Sequence, residues 1–299
     1  MSTGLNKLLT PAELHSLGQY SLQSRYVVEG SLAGRHRSPA RGSSAEFAEH
    51  RAYVSGDDLK HLDWKVLGRT ERYYIRRYED ETNLRVYLVL DRSASMAYTS
   101  GPETKYHYAC RLAAAVGYVV AKARDAGGLF LYADTIQAQI EPLNSILHLN
   151  NLASTMLRQG PSSTTRTART LHQIAEALPR RGLIVLFSDL LDEPAEIVRA
   201  LAHFRQQHHD VIIFHTLDPA EIDFPFEKNA EFLDLETGAR ISADPRSLAS
   251  EYRRVFAEFL EQYRKPCAEM KIDYRLVNTG QTMDRFLRAY LEERRRLAK

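Results

Sequence analysis

Two nearly continuous apolar runs, each ending on an acid, constrain the fold more than any other feature of this chain. Leu84-Arg85-Val86-Tyr87-Leu88-Val89-Leu90 leads into Asp91, and Leu183-Ile184-Val185-Leu186-Phe187-Ser188 leads into Asp189. A strand with one buried face alternates apolar and polar residues, whereas a strand apolar throughout is covered on both faces, as in a parallel sheet between helices. Strand-like runs at 84–90, Leu129–Ala133, 183–188, Val211–Thr216 and Ile272–Val277 alternate with helical patterns that would supply the cover. Those patterns span Lys105–Arg124, 144–158, 167–178, 195–208, Arg246–Arg264 and 282–296. Ile136–Ile140 reads as a short antiparallel partner, and Thr237-Gly238 between two alternating runs predicts a hairpin over Glu231–Ser242. The expected fold is α/β, a Rossmann-like, mostly parallel sheet with helices on both faces.

Open sheets of this kind bind ligands in the crevice beyond the carboxyl ends of their strands. The residues just beyond the first run therefore matter. Asp91-Arg92-Ser93-Ala94-Ser95 puts one carboxylate and two hydroxyls on one tight loop. Hard cations such as Mg²⁺ take several oxygen ligands and usually keep some waters. A serine-rich turn that caps the next helix uses the same residues, because Ser and Asp favour helix N-caps. On the residues alone both readings stay open.

From residue 91 onward the chain resembles a von Willebrand factor A domain, whose metal-ion-dependent adhesion site is built on Asp-x-Ser-x-Ser. The resemblance implies that Asp91, Ser93, Ser95, a threonine and Asp189 gather around Mg²⁺ or Mn²⁺. It makes the hydroxyls direct ligands and lets the two acids act mainly through bound water. The threonine falls in Ser162-Ser163-Thr164-Thr165. Counting back from Leu171, Thr165 is the better match and Thr164 the alternate. Serines stand where the family has glycines, Arg166 stands where it has an Asp, and Thr165 also reads as a helix N-cap. Arg92, Thr164, Arg166 and Ser188 flank these positions and are the expected partner contacts.

Upstream, Arg51-Ala52-Tyr53, Gly56-Asp57-Asp58, Asp63-Trp64-Lys65 and Gly68-Arg69-Thr70-Glu71 succeed one another in an order that resembles the family of unknown function numbered 58. With the downstream residues, that resemblance covers roughly residues 30–299. The acids Asp57, Asp58 and Asp63 have the chemistry for metal ligation or proton transfer. Charge-assisted hydrogen bonds to Arg51, Arg69 or Lys65 are the favoured reading, with Trp64 as a packing anchor. Ser31–Ser44 reads as a loop, and Thr70–Tyr78 contains a strand candidate. Residues 1–83 are expected to form a family-specific appendage packed on a von Willebrand A-like domain of residues 84–299.

Composition narrows the function classes. A hydrophobic content of 44% supports a sizeable core, and no run approaches the ~18 apolar residues of a membrane span. Met1–Lys7 lacks the basic-then-apolar pattern of a signal peptide. Cys110 and Cys267 lie far apart with no metal-type spacing, which fits a reducing compartment. The expectation is a cytoplasmic protein. The net charge of +2 and short runs such as Arg294-Arg295-Arg296 come without aromatic interleaving, so no nucleic-acid partner is expected. Adjacent His208 and His209 point apart on a helix, and His61, His107 and His172 are isolated.

Two function classes remain. The first is a protein-binding module that offers a bound cation to an acidic side chain. The family resemblance names a MoxR-type AAA+ ATPase as its partner in a chaperone-like or assembly role. The alternative is a metal-dependent phosphohydrolase or nuclease. Such enzymes need strong carboxylate ligation and a nucleophile or water-activating base, and the Asp91 loop offers one acid with two neutral hydroxyls. Ser93 stands where a haloacid-dehalogenase-type loop would need a second Asp. The chain also lacks Gly-x-Ser-x-Gly, a phosphate-binding Gly-Lys-Ser/Thr loop and His-Glu-x-x-His.

Overall fold

Helix-capping chemistry starts the chain. Two short helices, α1 (Gly4–Leu8) and α2 (Pro11–Leu17), meet at Thr10, where a capping box closes. The Thr10 hydroxyl accepts from Glu13 N at 3.3 Å and the Glu13 carboxylate accepts from Thr10 N at 2.8 Å. The computed structural model describes residues 4–20, 22, 45–53, 62–70, 72–80, 84–161, 166–179, 181–227, 230–235 and 238–297. Two compact units divide the chain, one of Met1–Arg25 with Arg85–Lys299 and one of Tyr26–Leu84.

The smaller unit contains an antiparallel pair, β1 (Ala45–Ala52) and β2 (Tyr74–Asp80), in register from Ala45↔Asp80 to Ala52↔Tyr74 with an irregularity between Phe47 and Glu49. Between them lies α3 (Trp64–Thr70). Asp63 opens α3, its Oδ1 accepting from Lys65 N at 3.0 Å and Val66 N at 3.2 Å.

The larger unit begins its sheet with β3 (Arg85–Asp91), continues through α4 (Lys105–Lys122) to β4 (Ala126–Tyr132), and turns back along antiparallel β5 (Ile136–Leu143). Helices α5 (Ile146–Arg158) and α6 (Thr167–Ala177) lead to β6 (Leu183–Ser188), and α7 (Pro194–Gln206) leads to β7 (Asp210–Leu217). Next come a short α8 (Pro219–Asp223), the hairpin of β8 (Ala230–Leu233) and β9 (Arg240–Ala243), and α9 (Pro245–Glu269). Then β10 (Asp273–Asn278) and α10 (Met283–Leu297) close the chain. The sheet order is β10-β7-β6-β3-β4-β5, parallel throughout except for β5. This is the α/β architecture expected. The hairpin forms where Thr237-Gly238 pointed, with Gly238 at φ 73°.

Continuous burial of the central strands explains their apolar runs. Tyr87, Val89, Ile184, Leu186 and Ile213 pack into one core with Leu171 and Ile174 of α6, Ile197 and Leu201 of α7, and Tyr263 and Cys267 of α9. The opposite face takes α4, α5 and α10. There a Cβ on Gly117 would meet Leu149 Cδ1 at 2.7 Å and Leu88 Cδ1 at 3.4 Å, and Phe214 stacks edge-on against Phe286 and Tyr290.

The expected appendage of residues 1–83 is divided in the structure. Its first residues belong to the larger unit because α1 and α2 are tied there. Arg111 on α4 donates to Leu8 O and to Glu13, Asn150 on α5 accepts from Leu5 N, and the Ser16 hydroxyl reaches Asp284. Sequence periodicity could not reveal this, because helices this short carry little periodic signal.

Candidate metal centre at the carboxyl edge of the sheet

Strand β3 enters the sheet first and acquires neighbours on opposite sides, β4 on one and β6 on the other. The connections leaving β3 and β6 therefore part from each other and leave a crevice at their carboxyl ends. Asp91 is the last residue of β3, Ser188 the last of β6, and Asp189 comes directly after it.

Asp91 joins three strands. Its Oδ1 accepts from Ser93 N at 2.8 Å, and its Oδ2 accepts from the Ser188 hydroxyl at 2.6 Å and the Tyr132 hydroxyl at 3.3 Å. The bond to Ser93 N folds the chain into a single 3₁₀ turn, Ala94–Ala97. That turn brings the Ser93 and Ser95 hydroxyls within 3.0 Å of each other. Burial lifts the Asp91 carboxyl above the usual carboxylate range, and the charge of Asp189 lifts it further against the pull of its hydrogen bonds.

Asp189 is held from several sides. Its Oδ2 accepts from the Lys105 ammonium at 2.8 Å, its Oδ1 from Leu191 N at 3.3 Å, and its backbone oxygen from His215 Nε2 at 2.8 Å. A carbonyl only accepts, so His215 carries its proton on Nε2 and takes the Tyr274 hydroxyl on Nδ1 at 2.6 Å. Burial pushes the His215 imidazole down to about 4, which keeps it neutral. The next residue, Leu190, has φ 52°, a left-handed conformation that a branched side chain rarely adopts. It is fixed by full burial and by the Tyr263 hydroxyl on its oxygen at 2.9 Å.

The donor chemistry fits a hard cation. Octahedral Mg²⁺ sites have bonds of about 2.0–2.1 Å, which place adjacent ligand oxygens about 3 Å apart. The Ser93–Ser95 hydroxyl pair has that spacing, beside the buried carboxyls of Asp91 and Asp189. Among the described residues no group of three or more His, Cys, Asp or Glu is placed to hold a metal. A hydroxyl-rich centre does not need one.

Other expected site residues fare differently. Ser188, expected at a partner surface, is wholly buried, with its hydroxyl donating to Asp91 and accepting from Leu190 N at 2.9 Å. Arg92 faces the α5–α6 connection, donating to Gly160 O from Nε at 2.9 Å and Nη2 at 2.6 Å. Arg166 is exposed at the head of α6. Thr164 and Thr165 lie outside the described residues, as do Gly56, Asp57 and Asp58. Asp63 caps a helix, and its neighbour Lys65 is exposed. Trp64, expected as a packing anchor, is 66% exposed at the first turn of α3.

Lys105 and Glu221 went unread in the sequence. Lys105 is fully buried, with its ammonium 2.6 Å from Glu221 Oε1 as well as 2.8 Å from Asp189. Burial opposes its charge, but Asp189 and Glu221 outweigh burial and hold the ammonium above its ordinary range. Burial also lifts the Glu221 carboxyl, an effect Lys105 only partly offsets. The legible signal for Glu221 was the spacing Asp218-Pro219-Ala220-Glu221, a capping box with proline in the first turn.

The family model described as "Protein of unknown function DUF58" matches residues 49–265. The chain belongs to this family. A relative in Mycobacterium tuberculosis strain H37Rv, uncharacterized protein Rv1480, is 26% identical over 247 residues, spanning 81% of this chain and 77% of the relative. Uncharacterized protein Mb1516 of Mycobacterium bovis matches equally. Among solved structures, an aerotolerance-related membrane protein from Bacteroides fragilis is 16% identical, with a TM-score of 0.46 over 71% of this chain and 100% of that one. BatB from Bacteroides thetaiotaomicron is 14% identical, with a TM-score of 0.45 over 72% of this chain and 99% of that one. The cytoplasmic location expected from the sequence does not stand, since similar solved chains are described as membrane proteins, among them a membrane-spanning protein from Vibrio fischeri. No helix among the described residues is long and apolar enough to cross a membrane, and that fact assigns no compartment.

Proposed function

We propose that this DUF58 protein is a binding module that holds Mg²⁺ or Mn²⁺ at the β3–β6 edge and uses it to capture a carboxylate of a partner protein. The observation that carries the reading is the pair of Ser93 and Ser95 hydroxyls 3.0 Å apart, adjoining the buried carboxyls of Asp91 and Asp189. The von Willebrand A-like motif supports it. Ser93 and Ser95 would hold the cation through their hydroxyls, with Thr165 as a third ligand and Asp91 and Asp189 acting through water. When bound, the cation supplies an electrophile with a coordination position open to an acidic side chain.

The chain's own residues prepare the site. Asp91 fixes the turn that aligns the two hydroxyls, and Ser188 and Tyr132 hold Asp91. Neutral ligands leave the cation most of its charge, which strengthens its hold on an anionic side chain. A lone cation–carboxylate contact is too small to select a partner, because stable interfaces bury ~1,200–2,000 Å². The surface around Ser95 and the head of α6 would add the rest. A MoxR-type AAA+ ATPase, working with this module in a chaperone-like or assembly role, is the partner we propose.

Calorimetry with Mg²⁺ and a pull-down test the two halves. Asp91→Ala should lose most of the Mg²⁺ affinity. Recovery of the ATPase should fall in EDTA and with the Ser93→Ala/Ser95→Ala pair. Equal recovery in all conditions would show that the partner docks elsewhere. Metal-dependent turnover of phosphate esters or nucleic acid, abolished by Asp91→Ala, would replace capture with hydrolysis.

A further inference from the structure

Lys105 is a lysine with no exposure to solvent, enclosed between the end of β6 and the head of α8. Its ammonium lies 2.8 Å from Asp189 Oδ2 and 2.6 Å from Glu221 Oε1, with the Tyr98 ring centroid 6.0 Å away. Each acid is oriented by a second bond. Asp189 Oδ1 accepts from Leu191 N, and Glu221 Oε2 accepts from Asp218 N at 2.8 Å. Asp218 in turn accepts from Ser100 N at 2.9 Å and from the Ser100 hydroxyl. The segment from Ser93 to Lys105, which carries both hydroxyls, is therefore pinned to α8 at two points.

We propose that Lys105 is the charge-setting and positioning residue of the metal site. This inference rests on the metal reading above. The ammonium permanently offsets one of three acids, Asp91, Asp189 and Glu221, and holds the Asp189 carboxylate toward itself. The site keeps enough negative charge to attract a dication but less than its acids would supply alone. A carboxylate from a partner adds the missing charge, so cation and partner bind more tightly together than apart, and by linkage each raises the affinity of the other equally. Glu221 acts in the opposite sense to Lys105. It shares the ammonium with Asp189 and adds its own negative charge.

Two isosteric substitutions separate charge setting from simple support. Lys105→Met removes a positive charge and Glu221→Gln removes a negative one, while each removes or weakens a buried contact. One unit of charge within several ångströms of a dication is worth about a factor of ten or more, even at a high effective dielectric constant. Titration of the full chain with Mg²⁺ alone, in low salt and mildly alkaline buffer, should show about tenfold tighter binding for Lys105→Met and about tenfold weaker binding for Glu221→Gln. Affinities that are unchanged, or that shift in the same direction, would leave Lys105 as a structural tie and overturn the proposal. If circular dichroism shows that Lys105→Met does not fold, Glu221→Gln decides alone: weaker binding supports charge setting, and unchanged or tighter binding overturns it. A wild-type protein that binds neither Mg²⁺ nor Mn²⁺ would overturn the metal reading itself, and this inference with it.

Discussion

Two buried ion clusters lie in the same sheet, one at the carboxyl end of β3 and β6 and one at the amino end of β10, and their acids behave in opposite ways. At β10, Asp273 accepts from Arg275 Nε at 2.9 Å, Arg294 Nη1 at 2.8 Å and the Tyr290 hydroxyl at 3.0 Å. Arg275 also forms a two-pronged bond with Glu293, at 2.9 and 2.7 Å. Burial would raise the Asp273 carboxyl, but the two guanidinium groups outweigh burial and hold it below the usual range. At β3, among the described residues, Asp91 receives only hydroxyl and backbone donors, and its carboxyl is held high. Among the described residues, the acids Asp273 and Glu293 meet Arg275 and Arg294 at β10, whereas at the carboxyl edge the Lys105 ammonium stands beside Asp189 and Glu221 with Asp91 close by. A matched cluster joins α10 to the sheet edge. An unmatched one in a crevice is where an added cation gains most.

The largest effect should come from breaking the matched cluster. Asp273→Ala takes the carboxylate from Arg294, whose side chain is 6% exposed, and breaking a buried pair from one side costs about 3–5 kcal/mol. Urea unfolding should show that loss with and without Mg²⁺. A loss that Mg²⁺ repairs would mean that the β10 cluster also responds to the cation and that the contrast is false.

Asp91→Asn is the counter-experiment. The amide nitrogen would meet the Ser188 and Tyr132 hydroxyls, which rotate and accept as readily as they donate. In EDTA the stability should therefore stay within about 1 kcal/mol of wild type, because the substitution removes a buried carboxylate that burial already disfavours. The stabilisation that Mg²⁺ gives wild type should vanish. A loss as large as that of Asp273→Ala would make Asp91 a structural acid like Asp273.

Acid separates the regions in a third way. His215, which holds the Asp189 carbonyl, titrates near 6.5 when unfolded and at about 4 in the fold. A group whose folded value is depressed contributes stability that is complete above its unfolded value and is lost as pH falls toward the folded one. The imidazole's share of stability should therefore be lost between about pH 6.5 and 4, by on the order of 3 kcal/mol, while Asp91, whose raised carboxyl takes up a proton first in the fold, contributes in the opposite sense over the same range. Asp273, also depressed, keeps its contribution until pH falls below its ordinary value of 3.8. Relative to wild type, His215→Gln should gain stability as pH falls through the upper window and leave the lower one unchanged. A wild-type profile that runs parallel to that of His215→Gln would mean that the imidazole is not buried neutral.

Much of the fold and the placement of the candidate site was legible in the sequence, and the parts that were not share a cause. The apolar runs at 84–90 and 183–188 identified strands buried on both faces, and the Asp-x-Ser-x-Ser turn marked the crevice, because both are local patterns. Ser188 looked like a surface residue since it adjoins Asp189 in sequence, yet the last residue of a central strand lies inside the sheet. Lys105 appeared as an ordinary cation at the start of a helix. Its meaning comes from Asp189 and Glu221, which are 84 and 116 residues away, and long-range charge pairing leaves no periodic trace. Trp64 misled in the opposite direction, being apolar and solitary yet exposed on a seven-residue helix.

The smallest effect concerns the one cation beside Asp91 in sequence. Arg92 was expected to draw in an acidic partner, and it would also relieve the excess of acid if its guanidinium turned inward. Instead it donates twice to Gly160 O at the end of the α5 connection, so its charge is committed to a carbonyl. Partly exposed bonds of this kind contribute about 1 kcal/mol. Arg92→Ala should lower stability by about that much, shift Mg²⁺ affinity far less than either Lys105→Met or Glu221→Gln, and leave partner recovery unchanged at equal amounts of folded protein. If recovery collapses while stability holds, Arg92 belongs to the docking surface after all. If Mg²⁺ affinity instead rises as far as expected for Lys105→Met, then Arg92 shares the charge-setting role, and the ammonium is not the only positive charge acting on the three acids.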